Sequence, residues 1–501
     1  MKLLFSGNAY KYEIEAVMKL FLPAQRFEFC YFNEEPPQRE YFSDGDFAFL
    51  RKRVTERCTL LYAWVNINGS SARCSKKLVK DIDDDICETE LSKLLYICMN
   101  KITGLSSGWG ILTGVRPVKQ VHKLLDKGMD KKGVFESLYN KYLVSPQKCN
   151  IAYDTAVIQQ PMLRSLEKSA NSTFGLYISI PFCPTRCSYC SFISQSAQGD
   201  AVKKLIPLYI ENLCAEIKHT AAITSSLGLR PDTVYFGGGT PTSISAEQLG
   251  RIMKAIAEFF DMSCVKEYTI EAGRPDTISY DKLKTIIDNG CTRISINPQT
   301  LNDSVLKEIG RSHTTEQFYN SFDLARKVGF KSINTDIIAG LPSDSVESFK
   351  ATIDGLIDLS PESITVHTLS IKRSAKLNSA DEKMEIMKSP ASYMVDYATD
   401  SLYSSGYKPY YMYRQKNMVD NLENIGWVKP GFESLYNIYI MEEVQTIIAL
   451  GAAASTKLVD RKKGIIKRIF NYKYPIDYNA HFETMLKRKS EIKDFYRENT
   501  Q

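Results

Sequence analysis

The sequence lacks any long hydrophobic run, and this absence excludes the membrane-spanning classes first. No stretch of its 501 residues approaches the ~18 consecutive apolar residues that a spanning helix needs. The first residues turn polar directly after Phe5, too early for the hydrophobic region of a secretory signal. We therefore expect a cytoplasmic protein with no membrane span.

The chain also lacks an excess of charge of one sign. Lysine and arginine number 64 against 58 aspartates and glutamates, which leaves a formal net charge of +6. That excess is too dilute for a dedicated nucleic-acid binder, and no nucleic-acid partner is expected. It would suit an anionic small substrate, although a solvated, mildly basic surface explains it equally well. With 44% hydrophobic and 24% charged residues, the composition is that of an ordinary globular protein.

Cysteine is not scarce, and three of the twelve cysteines fall within eight residues. Cys183, Cys187 and Cys190 form a C-x3-C-x2-C pattern, whereas the other nine are scattered and are expected to pack as small hydrophobic side chains. A structural zinc site needs four protein ligands, but the nearest further cysteine is Cys214 and no histidine is close. Three thiolates can instead bind three irons of a [4Fe–4S] cube and leave the fourth iron open. Three unrelated core cysteines are the alternative.

The order of hydrophobic patterns predicts an α/β protein with three parts. Residues 1–165 read as an N-terminal α/β accessory domain, with strands at 2–5, 26–32 and 60–67 and a helix at 12–21. Residues 174–375 alternate six short apolar runs with amphipathic segments, as parallel strands with helical crossovers do. Six units are too few for a closed eight-fold barrel and predict an open, partial (β/α)6 barrel with ligands at the carboxyl ends of its strands. Residues 376–501 are expected to be a mostly helical substrate-side domain.

The runs predicted as barrel strands are 176–181, 233–236, 267–271, 293–297, 332–338 and 363–369. The segments predicted as helices between them are 204–223, 246–260, 280–289, 315–328 and 345–359.

These features together resemble the radical S-adenosylmethionine (SAM) superfamily, whose hallmark is a C-x3-C-x2-C loop after the first strand of a partial (β/α)6 barrel. Tyr177, the GGGTPT motif at 237–242, Gln299, Arg311 and the GLP motif at 340–342 resemble the oxygen-independent coproporphyrinogen III oxidase family. The flanking motifs WGILTGVRP, VHTLSIKR and ENIGWVKPG most resemble its coproporphyrinogen dehydrogenase subgroup, called HemZ. The resemblance implies a [4Fe–4S] cluster and SAM as cofactors.

The resemblance also implies which residues contact SAM, while no catalytic residue is assigned. An arginine can fork onto a carboxylate, an aspartate can accept from ribose hydroxyls, and glycines let the backbone approach a ligand. Each residue taken singly is explained as well by a surface, turn or cap position. The implied SAM-binding residues are Tyr177, Tyr189, Gly238, Gly239, Thr240, Glu271, Gln299, Arg311 and Asp336.

Two positions depart from the patterns of the known relatives. The oxidases continue the cluster motif with a fourth cysteine that is tied to substrate turnover, and this chain has Phe192 there. The related haem chaperones share the phenylalanine but carry a histidine–asparagine pair where this chain reads Tyr436-Asn437. Each relative therefore has a residue that this chain lacks.

The resemblance favours oxidative decarboxylation of coproporphyrinogen III to protoporphyrinogen IX in haem biosynthesis. A flavodoxin or ferredoxin would donate electrons, and the tetracarboxylate substrate needs cations nearby. Two alternatives stay open, namely a radical SAM enzyme acting on another tetrapyrrole and a haem carrier that keeps the cluster. Arg414, Lys416 and His367 are the substrate candidates, with Arg274, Lys372 and Arg373 as further cations.

Overall fold

A computed structural model describes residues 1–33, 40–43, 45–114, 116–192, 195–197, 199–370, 390–415 and 418–499. The chain divides into two compact units, one of Met1–Tyr153 with Arg414–Leu422 and one of Asp154–Tyr413 with Glu423–Gln501. The boundary falls within the helix Pro146–Glu167. The sequence predicted three parts with limits at 165 and 375, whereas here the C-terminal region shares a unit with the barrel except for Arg414–Leu422, which belong to the first unit.

The first unit is built on a five-stranded sheet in the order β2-β1-β3-β4-β5. β1 runs parallel to β2 and β3, whereas β4 is antiparallel to β3 and β5. The predicted strands at 2–5, 26–32 and 60–67 and the helix at 12–21 are confirmed. β3 and β5 were missed, and the polar run of β5 offers little hydrophobic signal. The strands are β1 (Lys2–Ser6), β2 (Glu28–Phe32), β3 (Phe47–Val54), β4 (Cys58–Ile67) and β5 (Ser70–Val79).

The core of the first unit lies between this sheet and two helices, Lys11–Phe21 and Asp84–Thr103. Alternate residues of the central strands, such as Leu3 and Phe5, point into that core, as the two-residue period of a strand requires. The remaining helices wholly within the unit are Glu40–Ser43, Val118–Leu125 and Lys131–Tyr142.

The second unit contains an eleven-stranded sheet in the order β14-β15-β13-β12-β11-β10-β9-β6-β16-β17-β18. Its six central strands, β6 and β9 to β13, are all parallel, and they are the six predicted barrel strands. The eleven strands are β6 (Thr173–Ile180), β9 (Arg230–Gly238), β10 (Glu267–Glu271), β11 (Arg293–Ser295), β12 (Ile333–Ala339), β13 (Ser363–Thr368), β14 (Lys408–Tyr413), β15 (Asn424–Val428), β16 (Ile447–Leu450), β17 (Ser455–Asp460) and β18 (Ile465–Phe470). Two short strands, β7 (Phe182–Cys183) and β8 (Gln195–Ser196), form a separate two-stranded sheet.

Helices connect the parallel strands as predicted, with ends that differ from the prediction by a few residues. Helices Ala246–Phe259 and Thr315–Val328 each begin with a capping box, in which a Ser or Thr and a Gln satisfy the first amide groups reciprocally. The helices of this unit are Asp200–Ser226, Ala246–Phe259, Tyr280–Asp288, Asp303–Glu308, Thr315–Val328, Val346–Leu359, Ala391–Ser404, Leu435–Glu442, Pro475–Ala480, Phe482–Arg488 and Glu491–Asn499.

The C-terminal region contains strands as well as the predicted helices. It contributes the five strands β14 to β18, which extend both edges of the parallel sheet. β15 pairs antiparallel with β13, and β16 pairs parallel with β6. The aromatic part of this region, Lys408–Tyr413, is β14, where Tyr410 and Tyr411 are buried. Aromatic residues fit a pleated, half-buried surface, so this segment is a strand.

Candidate active site

The three clustered cysteines lie in one loop that leaves β6 at the carboxyl end of the parallel sheet. Cys183 closes the short strand β7, and its Sγ lies 3.5 Å from the Thr240 hydroxyl. The amide of Ser188 donates to the Ile309 carbonyl at 2.9 Å, which fixes the far side of the loop. The loop is therefore held by the segments that follow β9 and β11.

The thiols of this loop lie close enough to influence one another. Burial raises the pKa of the Cys190 thiol, and the neighbouring Cys187 and Cys183 raise it further. Among the described residues, no three His, Cys, Asp or Glu side chains are placed to hold a single metal ion. An iron–sulfur cluster makes a different demand, because each thiolate binds its own iron atom. A donor set of three soft thiolates in one loop fits such a cluster.

The glycine run after β9 packs directly against the chain that enters the cysteine loop. Gly238 has a φ of +103°, a conformation that L side chains rarely adopt. A Cβ on Gly239 would lie 2.5 Å from the Phe182 carbonyl oxygen. The Gly239 amide donates to the Ile180 carbonyl at 2.8 Å. Both positions therefore require glycine for close backbone packing.

Glu271 ends β10 beside two tyrosines. A Cβ on Gly237 would lie 3.1 Å from the Tyr177 hydroxyl and 3.3 Å from Glu271 Oε2, so the three residues share one small space. Tyr235 donates a short hydrogen bond to Glu271. Burial raises the pKa of the Glu271 carboxyl to about 7, and the negative charge of Asp336 acts in the same direction. Glu271 therefore exchanges its proton near neutral pH.

Asp336, on β12, keeps its charge because polar neighbours surround it. Asn297 and Asn334 donate to its two carboxylate oxygens at 2.8 and 2.7 Å, and His367 Nε2 lies 3.8 Å away. Burial would raise the pKa of Asp336, but hydrogen bonds from His367, Asn334 and Thr365 outweigh it and lower the pKa. Two carboxyl groups with opposite pKa shifts thus lie on β10 and β12, which are separated in the sheet by β11.

Gln299 and Arg311 lie on the segment that follows β11. Gln299 has a φ of +69°, and its backbone pairs with β12 through Asp336 and Ile338. Arg311 is 8% exposed and donates from Nη2 to the carbonyls of Gly273 and Asn297, both at 2.7 Å. Its Nη1 donates to the Tyr189 hydroxyl at 3.3 Å. Arg311 thus joins the ends of β10 and β11 to the cysteine loop.

The predicted site residues of the barrel therefore gather toward the carboxyl ends of β6 and β9 to β13, with Tyr177 and Asp336 inside their strands. Sequence reasoning missed Tyr235, Asn297 and Asn334, which hold the two carboxyl groups. The sequence did contain a signal for the two asparagines. Asparagine is depleted in strands, yet Asn334 lies within the buried strand β12 and Asn297 lies just beyond the buried strand β11.

The predicted substrate residues are placed differently. His367 lies on β13 beside Asp336, within the barrel site. Lys416, Lys372 and Arg373 lie outside the described residues. Arg414 belongs to the first unit, is 4% exposed, and donates to the carbonyls of Leu112, Gly114 and Asn421.

The two departures from the relatives also have clear positions. Phe192 is 62% exposed just beyond the cysteine loop. Tyr436 is buried, and its ring stacks on Tyr235 with centroids 4.4 Å apart. The described helices include none that is both long and apolar enough to cross a membrane.

Comparison with known proteins agrees with this geometry. The model of the radical SAM superfamily matches residues 177–356. An oxygen-independent coproporphyrinogen-III oxidase-like protein, HemZ of Bacillus subtilis, is 39% identical over 414 residues, which cover 81% of this chain and 82% of HemZ. The heme chaperone HemW of Lactococcus lactis is 31% identical over 324 residues, which cover 64% of this chain and 79% of HemW. The solved coproporphyrinogen III oxidase HemN of Escherichia coli aligns with a TM-score of 0.47 and 23% identity, over 65% of this chain and 73% of HemN.

A cysteine loop and polar strand ends on a six-stranded parallel sheet define a radical SAM protein, and the superfamily match agrees. Within that superfamily, the chain belongs to the coproporphyrinogen oxidase-like family. Membership implies SAM and an iron–sulfur cluster as cofactors.

Proposed function

We propose that this protein is a radical SAM oxidoreductase that decarboxylates two propionates of coproporphyrinogen III to vinyl groups, giving protoporphyrinogen IX without oxygen. The observation that carries the proposal is the gathering of Cys183, Cys187, Cys190, Glu271 and Asp336 at one end of the parallel sheet. The likeness to HemZ over most of both chains supports the assignment of a tetrapyrrole substrate.

In this proposal the three cysteines hold a [4Fe–4S] cluster, and the strand ends hold SAM. When bound, the reduced cluster would supply the electron that cleaves SAM and so generates the radical that removes a hydrogen atom from a propionate. The propionate would then lose CO2, and an electron acceptor would take the remaining electron to leave the vinyl group. The open iron position left by three protein ligands is where SAM would attach. The reducing electron would come from a flavodoxin or ferredoxin, in the cytoplasm.

The two carboxyl groups suit two different parts of SAM. Asp336 stays ionised and is held by Asn297 and Asn334, so its free acceptor capacity suits ribose hydroxyls. Glu271 has a pKa of about 7 and suits the amino group, whose positive charge would favour the ionised carboxylate. Arg311 lies near Tyr189 and suits the SAM carboxylate.

The glycine run and the remaining polar residues complete this assignment. Gly238, Gly239 and Thr240 bring backbone close to the cysteine loop, next to the place where the SAM amino group would lie. Tyr177 and Gln299 line the same strand ends. His367 Nε2 lies 3.8 Å from Asp336, and in this proposal the imidazole is at the site where a substrate propionate would bind.

A haem carrier is the second candidate, and specific observations bear on it. The 31% identity with the heme chaperone HemW and the phenylalanine at position 192 favour it. Against it, Tyr436 occupies the place of the chaperones' histidine and is buried against Tyr235. A radical SAM enzyme acting on another tetrapyrrole is the third candidate.

Anaerobic incubation with SAM, dithionite and one tetrapyrrole at a time distinguishes the candidates. With coproporphyrinogen III we expect two products, 5′-deoxyadenosine from SAM and protoporphyrinogen IX from the tetrapyrrole, both measured by chromatography. Cys187→Ala should abolish both products, whereas the matched control Cys264→Ala, at the amino end of β10, should retain them. Stable haem binding without any turnover of coproporphyrinogen III would refute the proposed reaction and favour the carrier.

A further inference from the structure

Arg274 is a buried cation next to the cysteine loop that the proposed chemistry does not use. It follows β10 and is 3% exposed. Its Nη1 lies 3.7 Å from Cys187 Sγ and 3.5 Å from the Thr185 carbonyl oxygen, and its Nη2 donates to the Thr185 hydroxyl at 3.1 Å. The guanidinium therefore donates to the loop at three atoms, one of them a sulfur. These contacts differ from the substrate propionates expected for Arg274 from the sequence.

The direction of this guanidinium is fixed from its other side. Asp276 accepts from Nε at 3.0 Å and from Nη2 at 3.1 Å, a two-point ion pair in which both side chains are largely buried. Arginine presents its donors in a rigid fork, so this pair aims Nη1 at the loop. The Thr185 hydroxyl in turn donates to the Gly310 carbonyl at 2.9 Å, which ties the same part of the loop to the segment before Arg311.

A donor at a cluster sulfur has a defined electrostatic consequence. Reduction adds one electron to the cluster and increases the negative charge on its sulfur ligands. Hydrogen bonds to those sulfurs and the local charge set the reduction potential of iron–sulfur clusters. A fixed cation stabilises the reduced form more than the oxidised form, because Coulomb attraction grows with the charge of the cluster.

We infer that Arg274 is a positioning residue that holds Cys187 in place and makes the cluster easier to reduce, by donating from Nη1 to Cys187 Sγ. This inference rests on the proposed cluster but not on the proposed tetrapyrrole. Asp276 reduces the net field of Arg274 but leaves the donor aimed at the sulfur.

The test is the one-electron midpoint potential of the reconstituted cluster, measured by a redox titration followed by electron paramagnetic resonance. In Arg274→Gln we expect the reduction equilibrium to fall about tenfold, which is a shift of about 59 mV to more negative potential. Arg274→Lys keeps the positive charge but loses the forked guanidinium, so its midpoint potential should lie between those of the wild type and Arg274→Gln.

Arg230→Gln is a matched control. Arg230 also pairs with an aspartate, Asp261, and also donates to a cysteine sulfur, that of Cys264 at 4.0 Å. It lies at the amino end of β9, at the end of the parallel strands opposite to the cysteine loop, and is exposed. Removing this charge should leave the potential of the cluster unchanged.

The outcomes separate this inference from the proposed function. An unchanged potential in loaded Arg274→Gln, or an equal shift in Arg230→Gln, overturns the inference. Loss of iron from both Arg274 variants, with normal loading of Arg230→Gln, supports the holding role. A loaded wild-type protein that does not act on coproporphyrinogen III ends the proposed reaction and leaves the potential test intact. A wild-type protein that binds no iron overturns both.

Discussion

Replacing Glu271 by glutamine should change how the stability of the protein depends on pH. Glutamine resembles the protonated carboxyl in shape, and its amide oxygen can still accept from Tyr235. In the folded protein burial raises the pKa of Glu271 from 4.5 to about 7. Between these two values the folded protein binds more protons than the unfolded chain, so the free energy of unfolding decreases as pH rises. This decrease in the free energy of unfolding is complete above pH 7, where Glu271 is ionised in both the folded and the unfolded state.

The size of this effect follows from the two pKa values. A tenfold difference in proton affinity corresponds to about 1.4 kcal/mol, so a rise from 4.5 to about 7 corresponds to about 3 kcal/mol. Glu271 is partly exposed, and screening by water makes this an upper value. We expect Glu271→Gln to be more stable than the wild type by about 1–3 kcal/mol at pH 8, and nearly equal to it near pH 5.

Thermal unfolding of both proteins without SAM or cluster, followed by calorimetry from pH 5 to pH 8, measures this difference. Glu258→Gln provides the control, because Glu258 is exposed on the outer helix Ala246–Phe259 and should follow the wild type at every pH. If the gap between Glu271→Gln and the wild type stays constant across this range, the carboxyl does not titrate as the structure indicates and the reasoning is refuted.

Three other variants test the site and the first unit. Cys187→Ala should bind far less iron after anaerobic reconstitution and lose its visible absorption, since one of three thiolates is missing; wild-type iron content would contradict the ligand set. Arg311→Ala should weaken SAM binding by about 1.5–3 kcal/mol in a calorimetric titration, the value of a hydrogen bond to a charged group, and unchanged affinity would remove Arg311 from the SAM site. Arg414→Ala should lower the stability of the protein by about 1–3 kcal/mol, because it leaves buried carbonyls of Leu112 and Asn421 without their donor, and should leave SAM cleavage intact. A loss of coproporphyrinogen III affinity with unchanged stability would instead support the substrate role predicted from the sequence.

The central sheet could be predicted because its sequence pattern is strong. Parallel strands are buried on both faces and appear as continuous apolar runs, while the helices between them show a period of 3.6 residues. β10 and the helix Thr315–Val328 have the predicted ends. The C-terminal strands could not be predicted in this way, because β15 pairs with β13 and β16 pairs with β6, which lie far away in the sequence, while β14 pairs with β15.

The site could be predicted in outline for a similar reason. Residues near the carboxyl ends of parallel strands meet at one end of a sheet. The order along the chain therefore predicted that the cysteines, Glu271 and Asp336 lie on the same side of the barrel. Which partner each of these groups contacts could not be predicted, because the contacts depend on side chains that cross between strands. The bonds from Tyr235 to Glu271 and from Arg274 to Cys187 join residues 36 and 87 positions apart.

Tyr436, one of the two departures from the relatives, packs beside the barrel site through its contact with Tyr235. Tyr436 is the second residue of the helix Leu435–Glu442, whose first amides donate to the Glu267 carboxylate, including the Leu435 amide at 2.5 Å. This carboxylate at a helix N-terminus is stabilising and fixes the helix against the start of β10. The Tyr436 ring lies against Tyr235, which donates to Glu271. Position 436 therefore contacts the tyrosine that donates to Glu271, and we expect a substitution there to disturb the Tyr235–Glu271 hydrogen bond.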